Sequence, residues 1–136
     1  LLALCDPLVV NEHEAAFLLA DGEDGEGGAR PGAEAGDLAE ALLRRGARSV
    51  VVTLGAEGAL VAAGSGTAAV ASPKVKAVDT TGAGDAFTAA LCLRLARGDG
   101  LAGAARYAAR VGAAAVREHG AQSSYPGPDD LPPAPD

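Results

Sequence analysis

An α/β fold with a mostly parallel sheet flanked by helices, and one β-hairpin, is what this sequence predicts. Three observations carry that expectation. Ser49-Val50-Val51-Val52-Thr53-Leu54 is a continuous β-branched run, the pattern of a strand covered on both faces. Leu8-Val9-Val10 is a second such run and passes directly into a helical stretch. Strands and helices then alternate as β-α-α-β, a hairpin, and β-α-α, an order that argues for one α/β layer.

Residues 1–5 read as the end of a helix stopped by Asp6-Pro7. After the strand at 8–10, Asn11 is a good N-cap for a helix over 12–19. Glu14 sits three residues on, at capping-box spacing, and Ala15, Ala16, Leu18 and Leu19 turn inward. Residues 20–35 mix Gly22, Gly25, Gly27, Gly28, Pro31 and Gly32 with acids and read as a mobile loop. A helix follows over 37–45, with Asp37 in its first turn, Arg44-Arg45 at its C-terminal end and Gly46 ending it. Beyond the strand at 49–54, Gly55-Ala56-Glu57-Gly58 turns the chain into a strand at 59–62. Gly64-Ser65-Gly66 then makes a hairpin into 67–71. A short strand is expected at 75–78. The helix over 86–96 is apolar on nearly all sides and is expected to be buried against the sheet. A last helix over 101–118 carries an Arg106, Arg110, Arg117 stripe, expected to be solvated, and packs through alanines. Residues 1–125 are expected to form the folded part and 126–136, rich in proline and aspartate, a disordered tail.

Composition bounds the partners. A chain of 136 residues is one domain's worth of material. With 49 % apolar but only 3 % aromatic residues, its core has to be built from Ala, Leu and Val. A net charge of −7 argues against a nucleic-acid backbone or an anionic membrane as partner. The acids Asp21, Glu23, Asp24, Glu26, Glu34, Asp37 and Glu40 crowd one stretch that reads as a solvated surface. Cys5 and Cys92 form neither a disulfide framework nor a metal motif. Cys92 is expected as a packed, reduced thiol, and His13 as exposed. With no uncharged run of membrane-spanning length and no signal peptide, a cytoplasmic location is expected. The chain opens on Leu1 and contains no Met, so it reads as part of a longer protein.

The chemistry is concentrated in Val78-Asp79-Thr80-Thr81-Gly82-Ala83-Gly84-Asp85-Ala86-Phe87. Gly82 and Gly84 let the backbone bend tightly and approach a ligand. A helix start supplies unpaired N–H groups and a partial positive charge suited to phosphate. Asp85 stands where it could take a proton from an attacking hydroxyl. Together these are the needs of phosphoryl transfer to an alcohol. A capped helix with no catalytic role has the same short signature, since Asp, Thr and Gly favour helix starts. Other nucleotide motifs are excluded. A dinucleotide fingerprint needs glycine at 87, where Phe87 stands, and no Gly-x-x-x-x-Gly-Lys-Ser/Thr occurs. Asn11 and Glu14, just past a strand's C-terminal end, stand where open α/β sheets bind ligands, and a carboxylate there can hold Mg²⁺ through water.

The full run from Asp79 to Phe87 resembles the C-terminal signature of the ribokinase-like (PfkB) carbohydrate kinases. Asn11-Glu12-His13-Glu14 and Thr53-Leu54-Gly55-Ala56-Glu57-Gly58 stand in that family's order. The match covers essentially the whole chain against the C-terminal half of the fold. The closing Gly120-Ala121-Gln122-Ser123-Ser124 resembles the ribokinase branch more than the fructokinases or adenosine kinases.

The resemblance implies ATP-dependent phosphorylation of a sugar's primary hydroxyl, D-ribose to ribose 5-phosphate first, with fructose, a nucleoside or a similar alcohol as alternative acceptors. It implies Asp85 as general base touching the sugar, and Gly82, Ala83 and Gly84 as the anion hole. Asn11, Thr53, Leu54, Gly55, Ala56, Glu57, Gly58, Gly84 and Ala109 fall at nucleotide-binding positions. Ala109 departs from the polar residue relatives often place near the adenine. Glu14 would support Mg²⁺ through water. A monovalent cation, K⁺, would be held at Asp79, Thr81, Ala115, Glu118, Gly120 and Ser124. The family's N-terminal half, with most of the sugar pocket, a lid and a homodimer interface, is not matched, so these residues alone are expected to be poorly active. A non-catalytic nucleotide-binding remnant is the competing expectation.

Overall fold

The computed structural model describes residues 1–20, 34–127 and 129–135. The predicted loop at 20–35 and its acids from Asp21 to Glu26 lie almost wholly outside the described residues. Glu34, Asp37 and Glu40 are exposed.

Among the described residues, four strands and four α-helices follow a 3-10 turn at Leu2–Leu4: β1 (Leu8–Asn11), α1 (Glu12–Ala20), α2 (Ala35–Arg44), β2 (Ser49–Thr53), β3 (Gly58–Ala63), β4 (Gly66–Ala71), α3 (Ala83–Ala96) and α4 (Leu101–Ala115). The strands form one open sheet in the order β1-β2-β3-β4. β1 and β2 are parallel, with Val9 opposite Val51 and Asn11 opposite Thr53. The two-residue turn at Gly64 and Ser65 forces β3 and β4 antiparallel, so the sheet is mixed rather than mostly parallel. Residues 75–78, expected as a strand, are irregular. Val78 and Asp79 both donate their N–H to the carbonyl of Val116 (2.7 and 3.2 Å), which leaves no ladder to join.

Two compact units divide the chain: Leu1–Leu54 with Leu60–Ala69, and Gly55–Ala59 with Val70–Asp136. In the first, the apolar stripes of α1 (Ala15, Leu19) and α2 (Leu38, Leu42) bury against Val10, Val50 and Val52. The capping box is present in full: Glu14 N donates to Asn11 Oδ1 (2.8 Å) and Asn11 N to Glu14 Oε2 (2.9 Å). The far end of α1 is closed by Arg45, whose guanidinium donates to the carbonyls of Leu18 and Leu19, both at 2.8 Å. In the sequence Arg45 marks only the end of its own helix.

In the second unit α3 packs on α4. Alanines at 104, 105 and 108 are fully buried, and Gly112 leaves Phe87 Cβ within 3.7 Å of where its own Cβ would stand, so the two helices approach closely. α3 is not buried all round. Ala86, Phe87, Ala90 and Leu91 are inside, whereas Ala89, Cys92 and Leu93 are exposed. The expectation of a packed Cys92 thiol fails for the same reason: an all-apolar helix sequence carries no sign of which face is covered. α4 ends at Ala115, three residues before the expected end. Arg106 and Arg117 are exposed, but Arg110 is half-buried and donates from Nε to the carbonyl of Pro132 (2.6 Å). No helix among the described residues is long and apolar enough to cross a membrane.

Candidate active site

The second unit builds a braced glycine bend. Asp79 stands at its base, with its backbone fixed on Val116. Its carboxylate reaches in two directions: Oδ1 accepts from Thr81 N (2.9 Å) and Oδ2 from Gly120 N (2.9 Å). These N–H groups, Gly120 first and then Thr81, hold the Asp79 carboxyl down at about 2. His119, at 4.0 Å through Nδ1, adds a smaller pull in the same direction. The chain then turns at Gly82, whose φ of 77° and ψ of 0° lie in the left-handed region. A Cβ there would stand 2.9 Å from Ala121 Cβ and 3.1 Å from the Tyr125 hydroxyl, so glycine is required twice over.

α3 starts immediately afterwards, three residues earlier than the sequence implied, which puts Ala83, Gly84 and Asp85 in its first turn. Gly82 is its N-cap and supplies no side-chain cap. Ala83 N donates to Thr80 O (3.2 Å), and the helix ladder begins with Ala86 N to Gly82 O (2.9 Å). Among the described residues the N–H groups of Gly82, Gly84 and Asp85 meet no acceptor. Gly84 and Asp85 are exposed, and among the described residues nothing donates a hydrogen bond to the Asp85 carboxylate. Free helix-start donors beside a free carboxylate can bind an anion and accept a proton next to it.

Of the positions matching the cation site, Asp79, Thr81 and Gly120 come together through the Asp79 carboxylate. Ser124 is buried and donates from Oγ to Ala121 O (2.8 Å), Ala115 is buried at the end of α4, and Glu118 is exposed. Carboxylate, hydroxyl and carbonyl oxygens are the chemical types that suit a weakly charged, oxygen-seeking cation such as K⁺, but both Asp79 oxygens here accept from backbone N–H groups. Ala109 is buried in α4. Gly55, Ala56 and Glu57 form an exposed 3-10 turn, and Gly58, at φ 109°, lies hard against the Val70 carbonyl, where a side chain could not fit. The contacts of His119 with Asp79, and of Ala121 and Tyr125 with Gly82, had no signal in the sequence, because all are made across more than 35 residues.

In the first unit Asn11 and Thr53 are register partners at the C-terminal ends of the parallel pair. Thr53 Oγ1 donates to Val10 O (3.4 Å), and Leu54 packs on the core beside it. The Asn11 amide NH₂ and one Glu14 oxygen remain free of the capping box. No cluster of three His, Cys, Asp or Glu side chains exists among the described residues. A Mg²⁺ ion bound mainly through substrate phosphates and water needs none, and the free Glu14 oxygen fits that mode.

The pfkB family carbohydrate kinase profile matches residues 1–128. Ribokinase from Schizosaccharomyces pombe is 39 % identical over 127 residues, covering 93 % of this chain and 39 % of the relative. The crystal structure of ribokinase from Thermotoga maritima superposes with a TM-score of 0.81 at 34 % identity, covering 92 % of this chain and 40 % of that one. Fructokinase from Vibrio cholerae, in its fructose, ADP and calcium ion bound form, gives 0.75 at 32 % identity, with 93 % and 40 % covered. The chain thus spans about two fifths of the length of these relatives.

Proposed function

The chain belongs to the pfkB family of carbohydrate kinases, and from that premise we propose that it carries the phosphoryl-handling part of an ATP-dependent sugar kinase acting on a primary hydroxyl, with D-ribose the first acceptor. ATP supplies the phosphoryl group, and Mg²⁺ offsets its charge. Of the expected anion-hole residues Gly82, Ala83 and Gly84, Ala83 already donates its N–H to Thr80 O, so the free N–H groups of Gly82, Gly84 and Asp85 receive the developing negative charge. One such preorganised donor is typically worth ~3 kcal/mol. Asp85 accepts the hydroxyl proton as the new P–O bond forms. Asp79, Thr81, Ala115, Glu118, Gly120 and Ser124 hold K⁺ and keep the bend in shape. Asn11 contacts phosphate, Glu14 a water of Mg²⁺, and residues 53–58 the nucleotide.

The observation that carries this reading is the exposed Asp85 carboxylate, which meets no partner among the described residues, in a helix turn whose Gly84 and Asp85 N–H groups meet none there either. The acceptor pocket, the lid and a homodimer interface belong to the remainder of a complete kinase, so the 136 residues by themselves transfer phosphate poorly. The setting is cytoplasmic. In a polypeptide that continues this chain to the length of its relatives, Asp85→Asn lowers kcat by about 10²–10⁴-fold while nucleotide affinity stays within error. Wild-type kcat in that variant rules out the base assignment.

Fructose is the second acceptor considered, on the strength of the likeness to the fructose-bound Vibrio cholerae enzyme. Comparison of kcat/KM for ribose and fructose separates the two.

A further inference from the structure

Gly82 stands at the turn of the phosphate cradle, and its own backbone does nothing to hold it there. Glycine takes positive and negative φ about equally well, so a φ of 77° has to be enforced from outside. A donor that stabilises developing charge works best when it is fixed before the charge appears. The Asp79 carboxylate fixes the backbone one residue earlier, at Thr81 N, and the α3 ladder fixes the Gly82 carbonyl through Ala86 N. Between those two points the Gly82 Cα is confined by contacts. The place its missing Cβ would take lies 2.9 Å from Ala121 Cβ and 3.1 Å from the Tyr125 hydroxyl oxygen.

Tyr125 is 42 % exposed, and among the described residues its hydroxyl makes no hydrogen bond. Neither deep burial nor a polar partner therefore accounts for where that oxygen lies. The backbone that carries it is fastened on both sides. Ahead of it, Ser124 is buried and donates from Oγ to Ala121 O (2.8 Å), and Tyr125 N donates to Gln122 O (3.4 Å). Beyond it, Gly127 N donates to Asp130 Oδ2 (3.0 Å) and Asp130 N to Gly127 O (3.2 Å). Pro132 O then accepts from Arg110 Nε on α4 (2.6 Å). A rigid ring on a fastened segment is a fixed stop for a flexible glycine.

We propose that Tyr125 is a positioning residue for the phosphate cradle. Its hydroxyl, together with the Ala121 methyl, keeps the Gly82 backbone from leaving the left-handed turn, and so holds the Gly82 N–H and the start of α3 in binding geometry. The consequence for phosphate rests on the kinase reading above, which gives Tyr125 no part. The atom that meets Gly82 is the oxygen, and this separates positioning from plain packing: Tyr125→Phe keeps the ring and deletes the contact.

The test follows the isotopically labelled chain, first without nucleotide. Relaxation dispersion at the Gly82 and Gly84 amides is expected to be flat in the wild type and to show microsecond-to-millisecond exchange in Tyr125→Phe and Tyr125→Ala. Mg-ATP is then titrated. A bend competent for about a tenth of the time raises the apparent Kd about ten-fold, which is the change expected in both variants. Urea unfolding is the control, and Tyr125→Phe should keep the wild-type midpoint. Four results overturn the role: exchange at Gly82 already present in the wild type, flat dispersion in both variants, an unchanged Kd in both, or a Kd loss in Tyr125→Ala that follows lost stability and is absent from Tyr125→Phe. Should Tyr125→Ala fail to fold, Tyr125→Phe alone decides. Dispersion needs no nucleotide, so the two readings fail separately. A wild type in which Mg-ATP moves neither amide sinks the kinase reading, and the exchange measurement still decides what Tyr125 does.

Discussion

A methyl group at position 82 would have to share space with the Ala121 methyl and the Tyr125 hydroxyl while the backbone holds φ at 77°. Gly82→Ala should therefore destabilise the chain by about 1–2 kcal/mol from the left-handed backbone alone, with the contacts adding to it. Urea unfolding measures this, and an unchanged midpoint would show that the bend relaxes. Asp79 makes a pH prediction. Its carboxyl is lowered from 3.8 to about 2, so the folded state favours the anion. The stability it contributes is complete above the ordinary carboxylate range and is lost as pH falls through about 2. Acid unfolding of Asp79→Asn should lack that part of the limb, and an acid limb identical to wild type would mean that the Gly120 and Thr81 bonds do not depend on the charge. Asp85 and the two glycines were legible in the sequence because their types and spacing carry the chemistry. The nearness of Gly120 to Asp79 followed only from the family resemblance, and the close approach of Ala121 and Tyr125 to Gly82 was not legible, since nothing local links residue 82 to residue 121.

The helix starts differ in how openly the sequence announces them. α1 declares itself through Asn11 and Glu14, and both bonds of the capping box are made. Asn11→Ala should cost about 1 kcal/mol of stability, seen as a lower thermal midpoint, while Asn11→Asp, which keeps the accepting oxygen, should recover most of it. Equal losses in the two variants would deny the cap its role. α3 hides its start. Two glycines read as loop, but a left-handed Gly82 lets the helix begin at Ala83, so Gly84 and Asp85 sit on the helix itself rather than ahead of it. That moves the carboxylate from a loop onto a rigid element, where its direction is fixed relative to the free N–H groups. The strand expected at 75–78 failed for a related reason. Its residues suit a strand, but Val116 offers a single carbonyl to two N–H groups instead of a ladder.

At the scale of the whole chain, alternating strands and helices gave the α/β class, and the β1–β2 pair is parallel as that alternation requires. The hairpin was also legible, from Gly64-Ser65-Gly66, but a turn signal carries no measure of the sheet it joins: two of the four described strands belong to the hairpin, and the sheet is mixed. Which apolar faces stay open was not legible at all, because Leu8, Phe17 and Leu93 have the same chemistry whether covered or bare. The central claim concerns the N-terminal turn of α3 as a phosphate cradle, and it can be read directly on the isotopically labelled chain titrated with Mg-ATP and followed amide by amide. Saturable shifts at Gly82, Gly84 and Asp85 that vanish in Gly84→Pro, which deletes one of the donors, are the predicted result. Shifts confined to other residues, or none up to millimolar nucleotide, would contradict it.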